Sequence, residues 1–363
     1  MTGEASESML FGCEDLQRYA AALLTGGGFR PQQAEKTAEV LVWANERGVD
    51  SHGVLRIPRY VEMVEAGTIN PSAEPAVVER KGAISVLEAS RGPGATAMVA
   101  AMQEATDRAV ASGVGWCSAR NITHAGAIGY YALQAVGKGC VGIVMTASGP
   151  LMAYHGSRGS AVSTNPLAIA IPSLDREPIV LDMSTANAAL GKVMAAKDAG
   201  KPIPIDWGVD EQGKSTTDPN KVSTLTPLGG PKGSGLSLMI EILASVLVNN
   251  PVIAPALTGG GSGRMNGLAI AVQIDAFGQS DQFGCDLNHL VQALKAVPLA
   301  TGVGSILMPG ERGFAEAASR RASGIPLPPG TVMRLKKLAD QFGVHTPSPI
   351  GRLTHPGEQL ADR

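Results

Sequence analysis

The sequence predicts a mixed α/β protein that opens on helices, and three observations carry that expectation. Apolar residues recur at three- and four-residue spacing through EDLQRYAAALLTGGG and RPQQAEKTAEVLVWANERG, and each segment stops at glycine, which predicts two amphipathic helices. From Glu79 onward short strand-like runs alternate with helical ones. The 363 residues include 45 glycines and only 4% aromatics, which suits many tight crossings around a core of small aliphatic side chains.

The elements follow in order. VVERKGAISVLEA reads as a pair of strands, ATAMVAAMQEATDRAVASG as a helix, GWCSARN as a strand, AGAIGYYALQAVGKG as a helix and GIVMTAS as a strand. A long loop from Pro150 to Pro166 leads to strands LAIAIPS and PIVLDMS, joined by a DRE turn. Helix TANAALGKVMAAKDAG, a polar excursion DWGVDEQGKSTTDPNK that reads as a surface flap, and helix GSGLSLMIEILASVLV come next. Strand GLAIAVQID and helices LNHLVQALKAV and TVMRLKKLADQFG complete the pattern, and the tail after Val344 is rich in proline and polar residues. Three regions are expected: residues 1–75 as an N-terminal helical part, 76–300 as the mixed α/β domain with its flap, and 301–363 as a segment packing back on the helical lobe.

Composition narrows the function classes. A formal net charge of -2, with 44% hydrophobic and 17% charged residues, describes a soluble globular chain without an apolar run long enough for a bilayer. Nucleic acid is an unexpected partner for so balanced a charge, and small molecules are the expected ones. Acidic residues in MTGEASESMLFG stand where a secretory signal would be basic, so a cytoplasmic location is expected. Cys13, Cys117, Cys140 and Cys285 form no CxxC pair and are expected as reduced thiols.

ISVLEASRGPGATAMVAA has the outline of a dinucleotide fingerprint, but the next strand ends in Ser118, Ala119, Arg120 and Asn121 without the acidic residue that holds a ribose. A plain strand-to-helix turn is therefore expected. In GGPKGSGLSLMIEIL, residues Gly229 to Gly235 and Lys232 form a loop before a helix, able to hold a phosphate or to be a simple glycine-rich turn; it lacks the Walker spacing.

RGVDSHGVLRIPRY gathers Ser51, His52, Arg56 and Tyr60. Ser51 is placed to cap a helix, and His52, Arg56 and Tyr60, four apart, would share a helical face, although Pro58 favours a bend. Such a face can grip a carboxylate and supply a proton; a solvated face is the alternative. His124, with Asn121 and Thr123, lies between a strand and a helix, where ligands sit in α/β folds. Asp182, beside Ser184 and Thr185 at another strand end, can bond a ribose, orient a histidine or cap the following helix. The histidines show no metal-binding spacing, so no metal is expected, and His155, His289, His345 and His355 are taken as structural or surface residues.

Taken in order, RGVDSHGVLRIPRYV, NITHAGAIGYYA, TNPLAIAIP, LDMSTA, PLGGPKGSGLSLMIEIL and MPGERG resemble the type-2 malate/L-lactate dehydrogenase family, over a span from Leu16 to Val344. The resemblance implies a non-Rossmann malate/L-lactate dehydrogenase-like fold with a mixed-sheet cofactor domain, and an enzyme acting as a homodimer. It implies NAD as cofactor, with NADP as the alternative. The reaction implied is reversible hydride transfer with a small 2-oxo acid/2-hydroxy acid pair of malate, lactate or ureidoglycolate type; a cyclic imino acid of piperideine- or pyrroline-2-carboxylate type is the alternative, and a His/Asp hydrolase a more remote one. By motif, Ser148, Asp182, Met183, Ser184, Lys232, Gly233, Gly310, Glu311 and Arg312 are implied cofactor contacts, and Ser51, Arg56 and Tyr60 the substrate grip. Both His52 and His124 match acid/base positions in the family; the preferred assignment gives proton transfer to His124 and carbonyl polarisation to His52. The segment Asn250 to Leu268 matches no functional feature.

Overall fold

The computed structural model describes residues 7–354 apart from Ala199 and Ser262, so His355 lies outside the described residues. The chain divides into two compact units, Met1–Ser72 with Glu311–Arg363, and Ala73–Gly310. The first unit begins with strand β1 (Glu7–Phe11), then helices α1 (Cys13–Gly26), α2 (Pro31–Glu46) and α3 (Ile57–Glu65). No side chain caps the N-terminus of α1. Burial holds it instead: Leu16, Leu23 and Leu24 are fully buried, and each such leucine is worth about 1.5–3 kcal/mol, against about 1 kcal/mol for a good cap.

The second unit runs through β2 (Ala76–Lys81), β3 (Ile84–Glu88), α4 (Gly94–Ser112), β4 (Val114–Ile122), α5 (Gly129–Val136) and β5 (Cys140–Ala147). The loop expected from Pro150 carries two short strands, β6 (Met152–Ala153) and β7 (Ser160–Val162). Next come β8 (Leu167–Ile171), β9 (Ile179–Met183), α6 (Leu190–Asp198), β10 (Gly208–Val209), β11 (Thr224–Leu225), α7 (Pro231–Glu241), α8 (Ile253–Leu257), β12 (Met265–Gln273) and α9 (Ser280–Lys295). The polar excursion supplies β10 to a four-stranded sheet ordered β10-β11-β6-β7. The helix after the glycine loop is not uniform, since α7 passes into a π-helical turn at Ile242–Val246.

The main sheet has seven strands in the order β2-β3-β4-β12-β5-β8-β9. β3 and β4 run parallel across the α4 crossover, whereas the other five neighbouring pairs are antiparallel. A Rossmann domain requires a mostly parallel sheet. This one is mixed, and the GPGATA turn has a packing explanation: a Cβ at Gly94 would fall 2.2 Å from the Thr123 carbonyl oxygen. Thr123 Oγ1 also accepts the Gly94 N–H at 3.0 Å and donates to the Gly92 carbonyl at 2.9 Å, so the start of α4 is already occupied.

The chain then returns to the first unit with α10 (Glu311–Ser323), β13 (Ile325–Leu327), α11 (Pro329–Phe342) and β14 (Gly351–Thr354). β1 lies between β13 and β14, antiparallel to both. The core of this unit joins Leu16, Leu23, Leu41, Ile57, Ile325 and Leu335, drawn from both ends of the sequence. Among the described residues no helix is long and apolar enough to cross a membrane.

Candidate active site

The segment does not form the single face that His52, Arg56 and Tyr60 would share in a continuous helix; the sequence favours a bend at Pro58, and the break falls earlier, at Gly53. Asp50–His52 and Val54–Arg56 form two 3-10 turns separated by extended backbone at Gly53, and α3 starts only at Ile57. His52, Arg56 and Tyr60 therefore do not lie along one helix. Ser51 is not an N-cap either, because it sits inside the first turn and its Oγ is 2.9 Å from His52 Nδ1. The break has a local cause: Asn45 on α2 fills the space beside Gly53, where a Cβ would be 2.1 Å from Asn45 Oδ1. That same Oδ1 accepts the Val54 N–H at 2.8 Å.

The broken segment still clusters its polar groups. Arg56 donates from Nε to the Ser51 carbonyl at 2.7 Å, which folds the guanidinium back towards the serine and histidine. Burial, assisted by the Arg56 charge, pushes the His52 imidazole down from 6.5 to about 4, so the ring is neutral at neutral pH. Tyr60 is buried, and burial raises its phenol well above the usual range, so it acts as a neutral hydroxyl.

Three residues that the sequence reading missed hold this segment. Asn45 donates to Asp50 Oδ1 at 2.6 Å, and Arg320 on α10 donates to Asp50 Oδ1 at 2.7 Å and to the Asn45 carbonyl at 2.6 Å. The spacing of Asn45 and Asp50 is local enough to have suggested a turn, but Arg320 is 270 residues from Asp50 and no sequence pattern links them.

His52 supplies a test of this electrostatic picture. Its folded pKa lies below the unfolded value, so between about 4 and 6.5 the unfolded chain binds a proton that the folded chain does not. Stability contributed by neutral His52 is present above that window and is lost as pH falls through it. In an NMR titration the His52 ring is expected to titrate near 4; a midpoint at the ordinary 6.5 would contradict its burial beside Arg56.

In the second unit His124 lies on irregular backbone between β4 and α5, half-buried, with Nδ1 accepting the Gly126 N–H at 3.3 Å. Asp182, at the end of β9, accepts the Gly129 N–H at 2.9 Å and so caps the helix that follows His124, not the helix after its own strand. Ser184 Oγ donates to the Thr164 carbonyl at 3.2 Å and accepts the Ala186 N–H at 3.1 Å; Met183 is the last residue of β9. Ser148 follows β5, with its N–H bonded to Asn165 Oδ1 and its hydroxyl 2.6 Å from Ser163 Oγ. Asn165 and the Ser163 carbonyl both bond Ser237, which ties this loop to α7.

α7 begins in the glycine loop. Gly229 and Gly230 take φ of 55° and 62°, the left-handed region where glycine carries no Cβ penalty, and Pro231 occupies the first turn. Lys232 is exposed at the helix start and Gly233 is buried behind it. A helix N-terminus bearing a lysine on bare backbone fits an anionic diphosphate. Gly310, with φ 93°, packs against Val180 of β9. Glu311 and Arg312 open α10 in the first unit, the unit that also carries Ser51 to Tyr60. Among the described residues no three His, Cys, Asp or Glu side chains converge on a metal position.

A mixed, largely antiparallel sheet, a glycine-lysine loop at a helix start and histidines on irregular backbone define a non-Rossmann α/β class. The chain belongs to the malate/L-lactate dehydrogenase family, whose model matches residues 11–336. It is 34% identical over 302 residues to an NAD(+) ureidoglycolate dehydrogenase of Escherichia coli K12, covering 82% of this chain and 86% of that one. Its fold matches the crystal structure of malate dehydrogenase from Entamoeba histolytica with a TM-score of 0.88 at 26% identity, covering 94% and 100% of the two chains. It matches the Δ1-piperideine-2-carboxylate reductase of Pseudomonas syringae with a TM-score of 0.81 at 29% identity, covering 92% and 100%. The family is one of nicotinamide-dependent dehydrogenases and reductases of 2-hydroxy acids.

Proposed function

We propose that the protein reversibly reduces a small 2-oxo acid to the 2-hydroxy acid with NADH, as a homodimer in the cytoplasm. The observation that carries this reading is the Ser51, His52 and Arg56 cluster: a neutral imidazole beside a hydroxyl, and a guanidinium whose Nε is engaged by the Ser51 carbonyl and whose terminal nitrogens are assigned to the ligand. Arg56 grips the substrate carboxylate as a fork, and the Tyr60 hydroxyl stands on the next element. With Ser51 donating to Nδ1, the proton of neutral His52 sits on Nε2, and that N–H is the group assigned to polarising the reacting carbonyl. A ring depressed to about 4 carries almost no proton to give in the reduction at neutral pH, which favours His124 as the proton-transfer group in that direction.

Exchange of a proton through His124 Nε2 requires Nδ1 to hold a proton, so the Gly126 contact must release; at 3.3 Å it is long, and its loss costs little. The nicotinamide, when bound, supplies or accepts the hydride. Lys232 and the amides at the start of α7 would hold its diphosphate, Asp182 and Ser184 would bond its ribose, and Ser148, Met183, Gly233, Gly310, Glu311 and Arg312 would supply the remaining contacts. The preference is for NAD over NADP.

The test is loss of nicotinamide absorbance with NADH and NADPH against pyruvate, oxaloacetate, glyoxylate derivatives, sulfopyruvate, diketo sugar acids and a cyclic imino acid. Turnover of a 2-oxo acid with NADH is expected. Turnover of the imino acid alone favours a second reading, reduction of C=N by the same groups, to which the likeness to the piperideine carboxylate reductase points. Either nucleotide is also expected to raise the thermal midpoint, whereas divalent metal is not. Stabilisation by metal alone would contradict the dehydrogenase reading.

A further inference from the structure

The pairing of β4 with β12 skips a step close to His124. Met265 faces Ile122 but Gly267 faces Ala119, so Asn266 alone stands opposite Arg120 and Asn121. This is a β-bulge in β4, a device that redirects a strand and the side chains after it. Asn121, inside the bulge, has a φ of 53°, a left-handed conformation that asparagine tolerates but that persists only where its surroundings fix it.

Asn266 supplies that fixing. It is wholly buried, and its Oδ1 accepts the Asn121 N–H at 3.0 Å, the backbone group that the bulge leaves without a strand partner. The same oxygen accepts from Asn250 Nδ2 at 2.8 Å. Asn266 Nδ2 donates to Ser245 Oγ at 3.0 Å and to the Asn250 carbonyl at 2.8 Å, so its side chain is fully satisfied. Asn250 Nδ2 reaches Asn121 Oδ1 at 3.0 Å, and Asn121 Nδ2 donates to both oxygens of Glu88 at 3.0 and 3.1 Å. The network joins the π-helical turn, through Ser245, to the strand exit that leads through Thr123 to His124. It also gives a role to both ends of the segment around Asn250 to Leu268, for which the sequence offered none.

We propose that Asn266 and Asn250 are positioning residues for His124: they hold the Asn121 bulge in its left-handed conformation and thereby aim the imidazole. The kinetic part of this proposal rests on His124 as the proton-transfer group; the structural part does not. A satisfied buried polar network specifies one arrangement, and displacement of a reacting group by about 1 Å costs up to a hundredfold in rate.

The experiment compares Asn266→Ala and the milder Asn250→Ala with the parent protein, reading kcat and KM with the best substrate and following the His124 ring signals by NMR on histidine-labelled protein. Both variants are expected to lower kcat by about tenfold or more, with KM for NADH changed by less than about twofold, and to shift the His124 ring signals. If Asn266→Ala fails to fold, Asn250→Ala decides. Unmoved His124 signals and unchanged kcat in a folded variant would overturn the proposal. Displaced His124 signals, in a protein whose His124→Gln variant keeps full kcat, would support the positioning role and refute proton transfer by His124.

Discussion

Replacing His124 with glutamine is expected to lower kcat by between about a hundredfold and ten-thousandfold, the usual contribution of a positioned acid/base, while KM for the 2-oxo acid changes little. The alternative donor, His52, is pushed down to about 4 by burial and by the Arg56 charge, so at neutral pH it has almost no proton to give in the reduction, although the neutral ring can still accept one in the reverse reaction. The two histidines also sit on differently built backbone. His52 lies in a short turn pinned by Asn45, Asp50 and Arg320, whereas His124 follows the bulge at the end of β4. Steady-state kinetics of His124→Gln beside His52→Gln decides between them. A His52→Gln variant with the larger kcat loss would reverse the assignment.

Removal of the guanidinium in Arg56→Ala is expected to raise KM for the substrate by roughly ten- to a hundredfold, the equivalent of one charge-assisted interaction of about 1.5–3 kcal/mol. The effect should fall mainly on KM, because a carboxylate away from the reacting carbon is bound alike in the ground and transition states. Lysine should not restore it: Arg56 spends Nε on the Ser51 carbonyl and would present its terminal nitrogens to the ligand, a division that a single ammonium cannot make. A KM in Arg56→Ala equal to that of the parent protein would remove Arg56 from the substrate grip.

The mixed α/β architecture was legible because its large elements carry their own periodicity, from α1 and α2 through β12 and α11. α10 was not, for a physical reason. It buries Ala317 and little else, so it has no apolar stripe to read. It is held by ion pairs instead, Arg320 with Asp50 and Glu316, and Arg321 with Glu46, of which all but the Glu316 pair join residues distant in sequence. The strands β6, β7, β10 and β13 are two or three residues long, too short for alternation to show.

At the site, the cluster of Ser51, His52 and Arg56 is visible in the sequence as composition and Pro58 signals a bend, but the position of the break at Gly53 is not, because it depends on the Asn45 side chain beside it. The sequence marks Asp182 as a strand-end residue and leaves three roles open; the helix it caps begins 53 positions earlier in the chain, beyond any local pattern. The fingerprint-like GPGATA lacks an acidic partner at the end of the next strand, so the sequence already favours a plain turn. The structure adds the packing of Gly94 against the Thr123 carbonyl, which accounts for the glycine without a nucleotide.

Hydride transfer between a nicotinamide and the carbonyl carbon of a 2-oxo acid can be followed by running the reduction with NADH deuterated at C4 on the transferred face and weighing the product. The expected product is a 2-hydroxy acid carrying one deuterium at C2, formed in step with loss of the reduced cofactor. A product without deuterium, or substrate conversion that proceeds without the cofactor, would contradict hydride transfer.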